Sequence, residues 1–111
     1  MSKYLFIGRY NPDGVRGVLA EGGTGRRGAA ADLVASLGGK MEAFCYAFGE
    51  DDFYMMAELP GHAEAAAVSL AVGRSGAMVY RTVVLLTAEE MDAAAKLNPV
   101  FRPPYRPHET R

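Results

Sequence analysis

The chain has 111 residues, half of them apolar and 23% charged, with a formal net charge of −1. That is one domain with one hydrophobic core, and the composition is neither disordered nor collagen-like. Near-neutral charge leaves no electrostatic footprint for nucleic acid, and no apolar run reaches the length of a membrane span, so neither is expected as a partner.

The first element is "KYLFIGRY" (Lys3 to Tyr10), an aromatic and β-branched run that reads as a strand stopped by Asn11-Pro12-Asp13-Gly14. With one lysine, a short apolar run and no small-residue cleavage site, Met1 to Tyr10 reads as a strand and not as a signal peptide. Asn11-Pro12 then opens a short helical turn through Val15 to Ala20. Arg26 to Leu37 places Ala30, Leu33, Val34 and Leu37 at helical spacing, and Gly38-Gly39 stops that helix. Strands follow at Met41 to Gly49 and Phe53 to Leu59, close enough in sequence to form an antiparallel hairpin. With a two-residue turn Phe48 shares a face with Phe53, and with a three-residue turn it shares one with Tyr54. Ala63 to Val72 is a second helix, whose alanines allow close approach to a sheet. Met78 to Leu86 is the most β-branched run of the chain and makes the fourth strand. A short helix, Ala88 to Lys96, begins with Thr87 and Glu90 in a capping box. From Asn98 onward the chain carries four of its six prolines and is expected to run extended. The domain is thus residues 1–97 and the tail residues 98–111.

Strand, helix, strand, strand, helix, strand, with right-handed crossovers and a central hairpin, predicts an α+β ferredoxin-like βαββαβ sandwich. A sheet covered by helices on one side should alternate apolar with polar residues. Here Tyr4, Phe6 and Tyr10 oppose Leu5 and Ile7, Phe44, Tyr46 and Phe48 oppose Met41, Ala43, Cys45 and Ala47, and Met78, Tyr80, Val84 and Leu86 oppose Val79, Val83 and Leu85. Both faces are apolar, and two helices cover only one. The bare face calls for a second copy of the chain, as a homodimer or higher homo-oligomer, or for the Pro-rich tail folded back over it.

The strings "KYLFIGRYNPDGVRGVLAEGG", "SLGGKMEAFCYAFGEDDFYMMAELP", "AVGRSGAMVYRTVVLLTAEEMDAAAK" and "FRPP" cover most of the chain and resemble the GYD family of small bacterial proteins, related in shape to dimeric α/β-barrel proteins. The family's Gly–Tyr–Asp signature falls at the central hairpin, where Gly49 and Asp52 match and Glu50 and Asp51 stand in place of the aromatic. The resemblance implies the fold and oligomerisation as a dimeric α/β barrel. It carries no reaction and no catalytic residues.

The segment Gly23-Thr24-Gly25-Arg26-Arg27-Gly28 matches G-x-G-x-x-G. A dinucleotide fingerprint needs a strand before it and an acid about twenty residues beyond it. Here the preceding stretch reads as helix and the acid is missing, so no cofactor is assigned. Thr24 as an N-cap with Arg26 and Arg27 in the first turn is a candidate anion site, against a capped, solvated helix start. Tyr10, Tyr46, Tyr54 and Arg81, with Phe44, Phe48 and Tyr80 nearby in the pattern, are candidates for lining a pocket for a small, flat, partly apolar molecule. Otherwise they are interface aromatics. His62, at a helix start, is the candidate proton-transfer residue, and His108 in the tail is less promising. Glu50-Asp51-Asp52 lacks a histidine at ligand spacing, so no metal is assigned. Cys45 is the only cysteine, which suits a reducing cytoplasm, and is expected to be buried and inert. The reading is a cytoplasmic homo-oligomer that binds a small molecule between sheet and helices, with cofactor-independent, oxygenase-like chemistry by analogy of shape. The rival is a non-catalytic assembly or regulatory module.

Overall fold

The structure is a computed structural model that describes residues 1–104; His108 and the rest of the tail from residue 105 lie outside the described residues. The elements are β1 (Ser2–Tyr10), α1 (Pro12–Ser36), β2 (Lys40–Tyr46), β3 (Phe53–Leu59), α2 (His62–Ser75), β4 (Met78–Leu85) and α3 (Ala88–Ala95). The four strands form one sheet in the order β2-β3-β1-β4, with every neighbouring pair antiparallel. This α+β arrangement is compatible with the ferredoxin-like sandwich that the element order implies.

The core lies between the helices and one face of the sheet. Tyr4 and Phe6 of β1 and Phe53, Met55, Ala57 and Leu59 of β3 are buried there beneath Val34 of α1 and Ala65 and Val68 of α2. Period-two alternation on the two central strands supplies the floor, and the helical stripes supply the roof. Phe44 stacks on Phe53 with ring centroids 5.3 Å apart and planes within 6°. Gly39 lets the end of α1 meet the sheet. A Cβ there would stand 2.4 Å from the Glu58 carbonyl oxygen and 2.6 Å from Leu59 Cδ2.

Three segments differ from the expectation. Residues between Pro12 and Ser36 form a single helical run broken at Gly22, not a short turn and a separate helix joined by a loop. Gly22 carries the break at φ 78° and ψ 164°, a conformation essentially confined to glycine. Thr24 therefore sits inside the first turn after the break and is not an N-cap. The side chain that does cap α1 is Asn11, whose oxygen accepts from Gly14 N at 3.1 Å. Secondly, β2 ends at Tyr46, and Ala47 to Asp52 form a wider loop closed by Ala47 N donating to Asp52 O at 2.9 Å. Neither short turn forms, and Phe48 leaves the sheet for an exposed position in the loop. Thirdly, a bulge between Met41 and Ala43 moves Met41 onto the core face with Phe44 and Tyr46. A bulge adds one residue and flips the alternation beyond it, which a strict period of two misses.

The opposite face stays open. Leu5 and Ile7 of β1, Tyr54 and Met56 of β3, Ala43 and Cys45 of β2, and Val79 and Val83 of β4 all point to it. Cys45 is exposed there, not buried, because it lies on an edge strand of the uncovered side. The capping box of α3 forms as expected: Thr87 Oγ1 accepts from Glu90 N at 3.1 Å and Glu90 Oε1 from Thr87 N at 3.0 Å. Yet α3 buries no residue, and Leu97, Val100 and Phe101 beyond it are exposed. The described part of the tail does not cover the open face.

Candidate functional site

The site is built where β1 ends. Tyr10 N donates to Asp52 Oδ2 at 2.7 Å, Asp52 N donates to the Gly8 carbonyl at 2.8 Å, and Arg9 Nε donates to the Glu50 carbonyl at 3.0 Å. These bonds pin the β2–β3 loop across the tip of β1. The first half of α1 leaves the same corner, its start tied by Asn11 N donating to the Ala77 carbonyl at 3.1 Å. Beside the Gly22 break the carbonyl of Gly23 accepts from the Tyr46 hydroxyl at 3.0 Å.

A cleft of about 330 Å³ opens between that half-helix and the loop. Its walls are Val15, Val18, Leu19 and Phe48, and Tyr10, Tyr46 and Asp52 give it a polar floor. Behind Tyr10 a narrower cavity of about 100 Å³ runs between helices and sheet, reaching Arg26, Phe44 and Tyr80. Burial pushes the Tyr10 phenol up to about 12. The Tyr46 hydroxyl beside it adds to that rise and the Arg26 guanidinium opposes it. Tyr10 is thus a neutral hydrogen-bond donor throughout the physiological range. Burial also raises the Tyr80 phenol, opposed by the neighbouring Ser69 hydroxyl. No group among the described residues meets hydrogen-bond geometry with the buried Tyr80 oxygen.

The fold divides the residues singled out in the sequence into three places. Tyr10 and Tyr46 come together in the cleft, with Arg26 just inside, its Nη1 3.4 Å from the Glu21 carboxylate. Tyr54 and Arg81 lie on the open face, on either side of Ile7, with Arg81 Nη2 3.6 Å from Asp51 Oδ2. His62 is at the start of α2, near the other end of β1, where its Nδ1 is 2.7 Å from the Tyr4 hydroxyl beside a hollow that also takes in Ser69 and Thr82. Thr24 and Arg27 lie on the second half of α1 and do not line the cleft.

Asp52, Val18 and Leu19 are site residues that the sequence did not reveal as such. Val15, Val18 and Leu19 recur at i, i+3 and i+4, a helical stripe that was readable but had no visible partner. Nothing local marks Tyr80 as lacking a bond. Residues 4–95 match the GYD domain. The chain belongs to the GYD domain family. The matched stretch takes in the whole sandwich and α3, and with it every residue of the cleft. No curated protein and no solved structure gives a significant match. In this GYD domain Asp52 acts as a brace: its carboxylate accepts from the Tyr10 backbone N–H and its own N–H donates to the Gly8 carbonyl.

Proposed function

We propose that this GYD domain binds a small, flat, partly apolar molecule in the cleft between α1 and the β2–β3 loop, with the polar end of that molecule against Tyr10 and Tyr46. The observation that carries this reading is the cleft itself. Its volume of about 330 Å³ falls in the range of small-molecule sites, and apolar walls over two converging hydroxyls are the usual lining of one. The tyrosine hydroxyl left without a partner at the end of the inner cavity offers a second polar contact to a molecule long enough to reach it. Any cofactor-independent, oxygenase-like step in the cleft falls to Tyr10 and Tyr46, because His62 sits at the opposite end of β1.

A thermal-shift screen of small aromatic and carbonyl compounds tests the reading. A compound at a hundred times its Kd adds about 2.7 kcal/mol, which raises the melting temperature of a domain this size by roughly 10–20 °C. The same compound should give a much smaller shift with Val18→Trp, which fills the cleft, or Tyr46→Phe, which removes a polar contact. Hits indifferent to both variants place binding elsewhere and defeat the proposal.

A second reading concerns assembly and stands on its own observation. The open face leaves Val83, Tyr54 and Cys45 exposed around Leu5, Ile7 and Met56, with Val79 74% exposed beyond Arg81, an apolar surface of the kind that marks an interface. Pairing of two copies through this face, as a homodimer, would cover it and supply the second half of a dimeric α/β barrel. Sedimentation across the micromolar range tests it, and lone subunits throughout would refute it.

A further inference from the structure

The chain carries two uncovered apolar surfaces. One is the open face of the sheet. The other is the C-terminal arm, made of Leu86, α3 and residues 96–104, which exposes Leu86, Met91, Leu97, Val100 and Phe101. Met91, Ala94 and Ala95 recur near one stripe of α3, and Leu97 and Phe101 extend it. An amphipathic segment with a capping box at its start and nothing beneath its apolar side is folded for a surface that its own subunit does not provide. Only Leu86 and Thr87 separate β4 from α3, and the helix leaves the sheet without turning back over it.

We infer that the arm of one copy packs on the open face of a second copy, so that a pair is held together by exchanged arms. The inference rests on the proposal that a second copy covers the open face, and puts that copy's arm on it in place of the second sheet. Reach allows it: eight helical residues span about 12 Å, and nine extended ones up to roughly 30 Å. A four-stranded sheet is only about 19 Å across. Area allows it as well. Five large apolar side chains from each arm, with the sheet surface they cover, remove on the order of 1,500 Å² over two contacts, the size of a specific, stable interface. The target has matching boundaries. Lys3 bridges Glu42 and Glu58 at one end of the open face, at 2.7 and 2.9 Å, while Arg9, Arg81, Glu50 and Asp51 gather at the other. Between these charged ends the row of Ala43, Met56, Leu5 and Val83 crosses all four strands as an apolar strip for an inserted segment.

The test is complementation in the full chain. Leu97→Asp with Phe101→Asp spoils the arm and leaves the face intact, and Val83→Asp spoils the face and leaves the arm intact. All three positions lie outside the buried core, so each variant should keep the wild-type circular dichroism and a cooperative melt. By sedimentation velocity, wild type should pair at low micromolar concentration, and each variant alone should pair at least 100-fold more weakly. An equimolar mixture should recover pairs where neither variant alone does, because one arm–face contact is whole in the mixed species. Should wild type pair but the arm variant pair equally well, or should the mixture fail to recover pairs, the exchanged arm is wrong while face-to-face pairing stands. Lone wild-type subunits would remove both ideas, and with them the second copy as the occupant of the face.

Discussion

Replacing Tyr80 with phenylalanine should stabilise the ligand-free protein. The ring of Tyr80 packs beside Phe6 with centroids 6.2 Å apart, and phenylalanine keeps that contact and its apolar area. What is lost is a hydroxyl whose oxygen is buried without a hydrogen-bond partner. Leaving a buried polar group unpaired costs about 1–3 kcal/mol. The neighbouring Ser69 hydroxyl softens the polarity of the site, so the lower end applies. A gain of about 1 kcal/mol corresponds to roughly 4–8 °C in melting temperature for a domain near this size. Differential scanning calorimetry of wild type and Tyr80→Phe, both ligand-free, reads it directly. If the hydroxyl serves a bound molecule, Tyr80→Phe should also shrink the shift given by a screening hit, so that stability and binding move in opposite directions. A variant that melts several degrees below wild type would refute the reasoning, since it would show the hydroxyl bonded in the native state.

Gly39→Ala should cost about 1–3 kcal/mol, because the new methyl group meets the Glu58 backbone oxygen and neither the strand nor the helix end can move aside freely. Gly28→Ala, in open space on α1, serves as its control, and equal urea midpoints for the two variants would contradict the close approach of the segment after α1 to β3. At high pH, Tyr10 and Tyr80 should ionise later than a free phenol, Tyr10 at about 12. A phenol raised in the folded state contributes stability that is fully present below its unfolded value near 10 and is lost as pH climbs toward 12. Ultraviolet titration at the tyrosinate band checks the late ionisation, and Tyr10→Phe should flatten the fall in stability over that interval.

The element order, the four strands and the capping box of α3 were legible because each is a local pattern: alternation, helical spacing, Thr87 three residues before Glu90. The greasy second face was legible for the same reason, since Leu5, Ile7, Val79 and Val83 alternate with equally apolar neighbours. What escaped depended on single backbone events. One bulge near Glu42 moved Met41 across the sheet, and a loop wider than a tight turn released Phe48. Gly22, one glycine among several in "EGGTGRRG", took the break that Thr24 was expected to cap. The candidate site was half visible. Tyr10 and Tyr46 were singled out and do meet, but Tyr54 and Arg81 were grouped with them on strand alternation alone, and His62 was picked out only for its place at a helix start. Residues on one strand can share a face and still stand at opposite ends of it, as Tyr4 and Tyr10 do.

The glycine break in α1 has a mechanical consequence. On either side of Gly22 the helix behaves as two short rods fastened at different points, the outer at Asn11 and the inner at Val34 beneath the sheet. Tilting the outer rod would resize the mouth beside Leu19 without disturbing what Val34 secures, so the proposed cleft would accept molecules of unequal girth.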